Sequence, residues 1–302
     1  MKDIEEKDIE FGEKDIEFEE EDTEKESDDV GKEEQRITRS VSEELKKDVI
    51  GSYWMMMERN ESFDDEISVY TVEVPRKEHG KNEVIAAKEK EVENLKKYGT
   101  FEEMEDEGKE KITSRWVVTK KTKQDGQKED FKARLVARGF QEMGDPQSDS
   151  PTALRESAKL FYSIAANENF NLRSIDIKAA FLQSNELDRD VILEPPADIK
   201  KEGIVWRLVK PLYGLKDASR KFWLRMKEIF SKEGFKSVKG DKAFYFKYKG
   251  KKLIGMILTH VVDFGMAGED KFLDEMEEKI GGVLNVSKVE KNKFRFTGIY
   301  IE

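Results

Sequence analysis

The sequence predicts an α+β fold in which helices pack on an antiparallel sheet, preceded by a disordered acidic tail. Three observations predict it. Leu253 to Gly268, LIGMILTHVVDFGMAG, places two apolar, β-prone runs around a short polar centre, the pattern of a tight hairpin inside a sheet. Amphipathic stretches with helical spacing stand elsewhere in the chain, VIAAKEKEVENLKKY (84–98) being the first. Residues 1–35 carry 18 Asp/Glu against 5 Lys/Arg, too much like charge and too little apolar surface to offset chain entropy.

The 302 residues are 40% charged and only 37% hydrophobic, so part of the chain is expected not to fold. The formal charge of -11 is uneven: residues 1–35 contribute -13, which leaves +2 for the remainder. A nucleic-acid partner is therefore compatible with the rest of the chain. With no cysteine there is no disulfide, thiolate ligand or cysteine nucleophile. No apolar run reaches 18 residues and no signal-like segment opens the chain, so a non-secreted protein, cytoplasmic or nuclear and not membrane-bound, is expected.

In chain order, Lys2-Asp3-Ile4-Glu5, Lys7-Asp8-Ile9-Glu10-Phe11 and Lys14-Asp15-Ile16-Glu17-Phe18 repeat one acidic phrase, expected to be disordered or to serve as a tail that binds a protein partner. Residues 36–83 read as a linker with local structure, a short helix at SVSEELKKDVI and a strand at ISVYTVEV; His79 is expected to be exposed. The helix at 84–98 places Ile85, Val92 and Leu95 on one stripe and stops at Gly99. A hairpin follows: Ile112 to Lys120, a charged turn around Asp125-Gly126, and Phe131 to Phe140. Its second strand alternates Lys132, Arg134 and, one period later, Arg138 with apolar residues, a row of cations for solvent or for phosphate. Helices are expected at Arg155–Asn167, from Ala218 to Phe230 with Phe222, Met226 and Phe230 in the core, and from Lys271 to Ile280. Strands are expected at 191–193, 205–208 and 243–248. Asp263, alone at the hairpin centre, is either a satisfied turn residue or half of a metal site.

FKARLVARGF (131–140), with Gly99-Thr100-Phe101 and Ser114-Arg115-Trp116-Val117 before it, resembles the fingers of copia-type (pseudoviral) retrotransposon reverse transcriptases. Ser174-Ile175-Asp176-Ile177-Lys178-Ala179-Ala180-Phe181-Leu182-Gln183 is similar to that family's first catalytic motif, and Leu212-Tyr213-Gly214-Leu215-Lys216-Asp217-Ala218-Ser219-Arg220 to its most recognisable one. Order and spacing agree over 84–302. The resemblance implies reverse transcriptase fingers and palm, with the chain ending at Glu302 where the family would continue into a thumb. It also implies an RNA template, a DNA primer and deoxynucleotides as partners, and Mg²⁺ as cofactor.

On that resemblance Asp176 and Asp263 are the catalytic, metal-binding acids, and the Ile177 carbonyl is a further metal ligand. Without the resemblance Asp176 reads equally as a cap for the helix that Ala179-Ala180 begins. Lys132 and Arg134 would meet the triphosphate, while Arg138 is either part of that face or structural. Phe181 would lie under the sugar and exclude a 2'-hydroxyl, though alone it reads as core. Tyr213 would border the sugar and Gly214 would let backbone approach the nucleotide, the alternative being a plain turn.

The sequence departs from the family at one position. Two adjacent acids are expected after an aromatic or His and a Val, but the frame here reads His260-Val261-Val262-Asp263, so Val262 stands at the lost ligand position. A two-metal polymerase without its shared carboxylate forfeits several kcal/mol of transition-state stabilisation, which lowers turnover by thousands. Three functions follow: a reverse transcriptase by descent with impaired catalysis, a non-catalytic nucleic-acid-binding remnant, or a host-adopted interaction protein acting through its tail.

Overall fold

The structure is a computed structural model; it describes residues 70–122, 130–291 and 293–302, all within one compact unit. The acidic repeats, the helix expected at SVSEELKKDVI and the turn around Asp125-Gly126 lie outside the described residues. The fold is mixed α and β, with four α-helices among the described residues.

The first sheet runs in the order β1 (Tyr70–Glu73), β3 (Ile112–Thr122), β6 (Ile192–Glu194), β7 (Ile204–Leu208) and β2 (Phe101–Glu105), with β4 (Asp130–Ala137) paired to β3. Its pairs are antiparallel except β3–β6, where Ile112 faces Leu193 in parallel. Nothing in FEEME announces β2 as a strand. The element is made by pairing with β7 and by Phe101 stacking on Trp206, with centroids 3.7 Å apart.

The second sheet is antiparallel throughout, in the order β12 (Val286–Lys291), β5 (Asn171–Ile177), β11 (Asp263–Gly268), β10 (Lys252–His260), β9 (Phe244–Lys249) and β8 (Lys236–Ser237). A ribbon of β13 (Phe294–Phe296) and β14 (Ile299–Ile301) follows. Because side chains alternate along a strand, this sheet has two separable faces. On one, Phe161 and Ala165 of α2 (Arg155–Asn167) join Phe244, Met256, Leu258, Ala267 and the ribbon's Phe294 and Phe296 in one cluster. On the other, Phe230 of α3 (Ala218–Lys232) meets Tyr245 and Phe264 edge-on. Phe272 of α4 (Asp270–Gly281) fills the space that Gly255 and Gly268 leave, where an added Cβ would lie 2.0 and 2.5 Å from the ring. Burying each such ring contributes about 2–3 kcal/mol. Phe222, Met226 and Phe230 are buried as expected.

The buried stripe of α1 (Asn82–Lys97) differs from expectation. Val84, Ala87, Lys88 and Leu95 face inward, whereas Ile85 is 41% exposed. Glu91 falls on the same stripe, at helical spacing between Lys88 and Leu95. A reading that follows apolar residues chooses the wrong face because two stripe positions are charged. Lys88 is satisfied by Asp198 at 2.8 Å, and that carboxylate also accepts the Trp116 indole N–H at 3.0 Å. His79, expected to be exposed, is half-buried with its Nε2 3.1 Å from the Val74 carbonyl.

Two contacts fasten the segments around LYGLKD. Arg189 donates from Nη1 to Asp217 at 2.6 Å and from Nη2 to both Asp217, at 3.0 Å, and Glu142, at 3.1 Å. Gly139 and Gly214 press backbone to backbone: an added Cβ on Gly139 would lie 2.4 Å from the Gly214 carbonyl, and one on Gly214 2.2 Å from the Ala137 carbonyl.

Arg189→Ala strands the Asp217 carboxylate, which is 2% exposed, so it should cost about 3–5 kcal/mol in a denaturant titration. Glu91 offers a second test. Burial lifts its pKa from 4.5 to about 6, against the opposing pull of the Leu135 backbone N–H and of Arg134 and Lys132. The native state thus binds this proton more tightly than the unfolded chain does. Its stabilisation is fully present below pH 4.5 and is lost as the pH rises through about 6, a difference of about 2 kcal/mol. Glu91→Gln should remove that component, and the wild-type-minus-variant stability measured from pH 4 to 8 should show it.

Candidate active site

Strands β5 and β11 pair from Asn171–Gly268 at one end to Asp176–Asp263 at the other. Residues directly opposite on neighbouring strands project from the same face with Cβ atoms about 4.5–5.5 Å apart, so the register brings the two carboxylates together. They stand at the end of the face that carries α2 and the ribbon. Asp263 closes the β10–β11 hairpin opposite His260, leaving Val261 and Val262 as a two-residue turn. Val261 has φ +57°, an uncommon value for a β-branched residue and a local strain beside the acid pair. The residue in register with Asp176 is therefore Asp263, while Val262 belongs to the turn.

Neighbouring groups hold both acids. The pairing of β12 with β5 shifts between Val286 and Lys288, and Ser287, falling in that irregularity, donates its hydroxyl to the Asp176 carboxylate. Asp176 keeps solvent contact, yet protein crowds it from one side, and this partial burial lifts its pKa above the ordinary carboxylate value. The Ser287 bond opposes that rise, the Asp263 charge adds to it, and Lys132 opposes it. Lys132 of the first sheet thus acts on an acid of the second. His260 Nδ1 lies 3.4 Å from Asp263 Oδ1; this contact raises the imidazole pKa, with burial working against it. Asp176 does not cap the helix that follows, because the 3₁₀ turn Ala180–Gln183 starts from Ala179 at φ +47° with no side-chain cap.

A second group adjoins. Phe181, 5% exposed, has its ring 5.5 Å from that of Tyr213, and the Arg134 guanidinium lies 5.9 Å from the Tyr213 centroid. Burial pushes the Tyr213 hydroxyl pKa up, the Glu91 charge adds to this, and Arg134 opposes it as a neighbouring charge and hydrogen-bond donor. Gly214, at φ +88°, owes its missing side chain to the contact with Ala137, whose N–H donates to the Tyr213 carbonyl at 2.8 Å. Ile177 follows Asp176 with its side chain buried. Arg138 leaves the cation row: β4 ends at Ala137, and Arg138 turns away to donate to Thr113 Oγ1 at 3.1 Å. Ser287 was missed by sequence reasoning; a lone Ser in VSKVEK carries no signal of its partner.

The donor set is hard and small. Among the described residues no group of three or more His, Asp or Glu is placed to hold a metal ion. Two carboxylates suit one divalent cation better than a bridged pair. A cleft of about 770 Å³ lined by His79, Ile85, Lys88, Val92 and Asp198 lies elsewhere, along α1, and contains none of these acids. No helix of the described residues is long and apolar enough to cross a membrane.

Comparison with known proteins agrees with this geometry. The profile of the reverse transcriptase (RNA-dependent DNA polymerase) family matches residues 100–302. The chain is 30% identical over 200 residues to the retrovirus-related Pol polyprotein from transposon TNT 1-94 of Nicotiana tabacum, covering 64% of this chain and 15% of that protein. It is 31% identical over 167 residues to the Pol polyprotein from transposon RE1 of Arabidopsis thaliana, covering 54% and 11%. It is 28% identical over 186 residues to the transposon Ty1-ER2 Gag-Pol polyprotein of Saccharomyces cerevisiae, covering 58% and 10%. The aligned region is thus a small part of each relative. With Asp176 and Asp263 on adjacent strands and residues 100–302 matching along the whole of both sheets after β1, the chain belongs to the reverse transcriptase family, as a copia-type retrotransposon reverse transcriptase domain.

Proposed function

We propose that residues 84–302 form the fingers and palm of an RNA-directed DNA polymerase by descent, with the first sheet as fingers and the second as palm. Asp176 and Asp263 are its metal-binding acids, and an RNA template, a DNA primer and deoxynucleotides are its substrates. The observation that carries this reading is the pairing of Asp176 with Asp263, with Lys132 acting on Asp176 from the other sheet.

The two carboxylates, with the Ile177 carbonyl, would hold Mg²⁺, which when bound neutralises charge on the reacting phosphate and lowers the pKa of the primer hydroxyl. The remaining work falls to this chain's own groups. Ser287 orients Asp176 through its hydroxyl, and His260 orients Asp263. Lys132 and Arg134 bring positive charge to a triphosphate. Phe181 and Tyr213 present a ring surface to the sugar, on which a 2'-hydroxyl would be crowded.

Catalysis is impaired in this reading. A bridged pair of cations needs a shared carboxylate, and the isopropyl group of Val262 donates nothing. A second reading, a nucleic-acid-binding remnant without catalysis, is favoured by the same residue.

Primer extension on an RNA template with Mg²⁺ separates them. The wild-type chain should extend slowly, Asp176→Asn should abolish what remains, and Val262→Asp should raise the rate on the order of 10³-fold. Extension by the wild-type chain that Val262→Asp leaves unchanged would overturn the impairment. No extension by either, with primer–template still bound, would favour the remnant. That binding should weaken steeply with salt, and Lys132→Ala should lower the slope of log affinity against log salt by about one.

A further inference from the structure

We infer that Glu91 is a positioning residue for the triphosphate-facing arginine: from the inward stripe of α1 it anchors the open edge of β4 and fixes the Arg134 guanidinium against Tyr213. The inference rests on the reading of Arg134 as a nucleotide-binding residue.

Among the described strands β4 pairs only with β3, so its other edge presents unpaired backbone groups. Helix α1 covers that edge, and the Glu91 carboxylate faces the Leu135 N–H, one residue beyond Arg134. Its Oε1 is buried with no hydrogen-bond partner. Around it stand the charges of Arg134 and Lys132 from β4 and the Tyr213 hydroxyl, with Tyr98 beyond it at the end of α1. Arg134 in turn hydrogen-bonds Tyr213, whose ring lies against Phe181. A chain of contacts therefore runs from α1 to the residues assigned to the nucleotide.

A purely structural role accounts poorly for this carboxylate. It occupies a position where Leu or Met would pack, leaves an oxygen unsatisfied, and is costly to ionise where it stands. Residues that cost the fold and abut a binding group are the ones expected to serve that group. The negative charge cancels part of the repulsion between Lys132 and Arg134 on one strand face and holds the guanidinium in a single orientation. A phosphate then meets a preset fork rather than a mobile side chain.

The test measures dATP binding to the full chain on a labelled primer–template lacking a 3'-hydroxyl, at pH 7.5 and 5.5, with Glu91→Gln, Arg134→Gln and the double variant. Glu91→Gln should raise the Kd about tenfold at pH 7.5 and add nothing in the Arg134→Gln background. The wild-type advantage over Glu91→Gln should shrink at pH 5.5, where Glu91 takes up its proton. Lys132, Arg134, Tyr98 and Tyr213 do not titrate between these values, and titration of the nucleotide and Asp176 is common to both proteins. An unchanged Kd in Glu91→Gln, or equal losses with and without Arg134, would overturn the inference. A second readout, the Arg134 Nε–H resonance, keeps it separate from the polymerase reading. That proton should exchange faster with water in Glu91→Gln even if no nucleotide binds, and an unchanged exchange rate would overturn the inference by itself. Failure of the wild-type chain to bind dATP at all would count against the polymerase reading instead.

Discussion

The antiparallel pairing of β5 with β11 is the constraint on which the site depends. A slip of one residue would turn one acid to the opposite face and separate it from the other. Packing on both faces opposes the slip. Arg173, on the strand that bears Asp176, is 4% exposed and ion-paired to Asp274 at 2.7 Å and Glu277 at 2.8 Å on α4. On the acid face, Phe296 presses onto Gly265, where an added Cβ would lie 2.8 Å from the ring. A displaced register would strand a buried guanidinium and close the slot for that ring, two large penalties at once.

The first sheet reaches this site through backbone. The Gly139–Gly214 contact and the bond from Ala137 N–H to the Tyr213 carbonyl draw the end of β4 onto the loop before α3. Lys132 and Arg134 are thereby carried toward Asp176 and Tyr213, respectively. Gly214 thus has a structural reason to be glycine that is separate from any approach of a ligand. Arg189, bridging Glu142 and Asp217, fastens the same junction from the other side.

Much of the fold was legible because apolar periodicity is a local property. The helices at 155–167, 218–232 and 270–281 and the hairpin at 252–268 lie within a few residues of expectation. What failed was long-range or concealed. FEEME becomes a strand only by pairing with β7. The inward face of α1 was misread because Lys88 and Glu91 occupy core positions, each tolerated through partners distant in sequence. Arg138 was placed in the cation row by extending a period of two beyond the point where the strand ends.

By itself the sequence determined the family, the two acids and the odd residue beside one of them, since these are matters of residue identity and order. Whether Asp176 and Asp263 meet, that Asp263 and not Val262 is the register partner, and that Ser287 and Glu91 enter the site's surroundings were decided by tertiary structure alone. The physical reason is that strand register and helix-on-strand packing join residues 40 to 110 positions apart, and no local pattern encodes such a pairing.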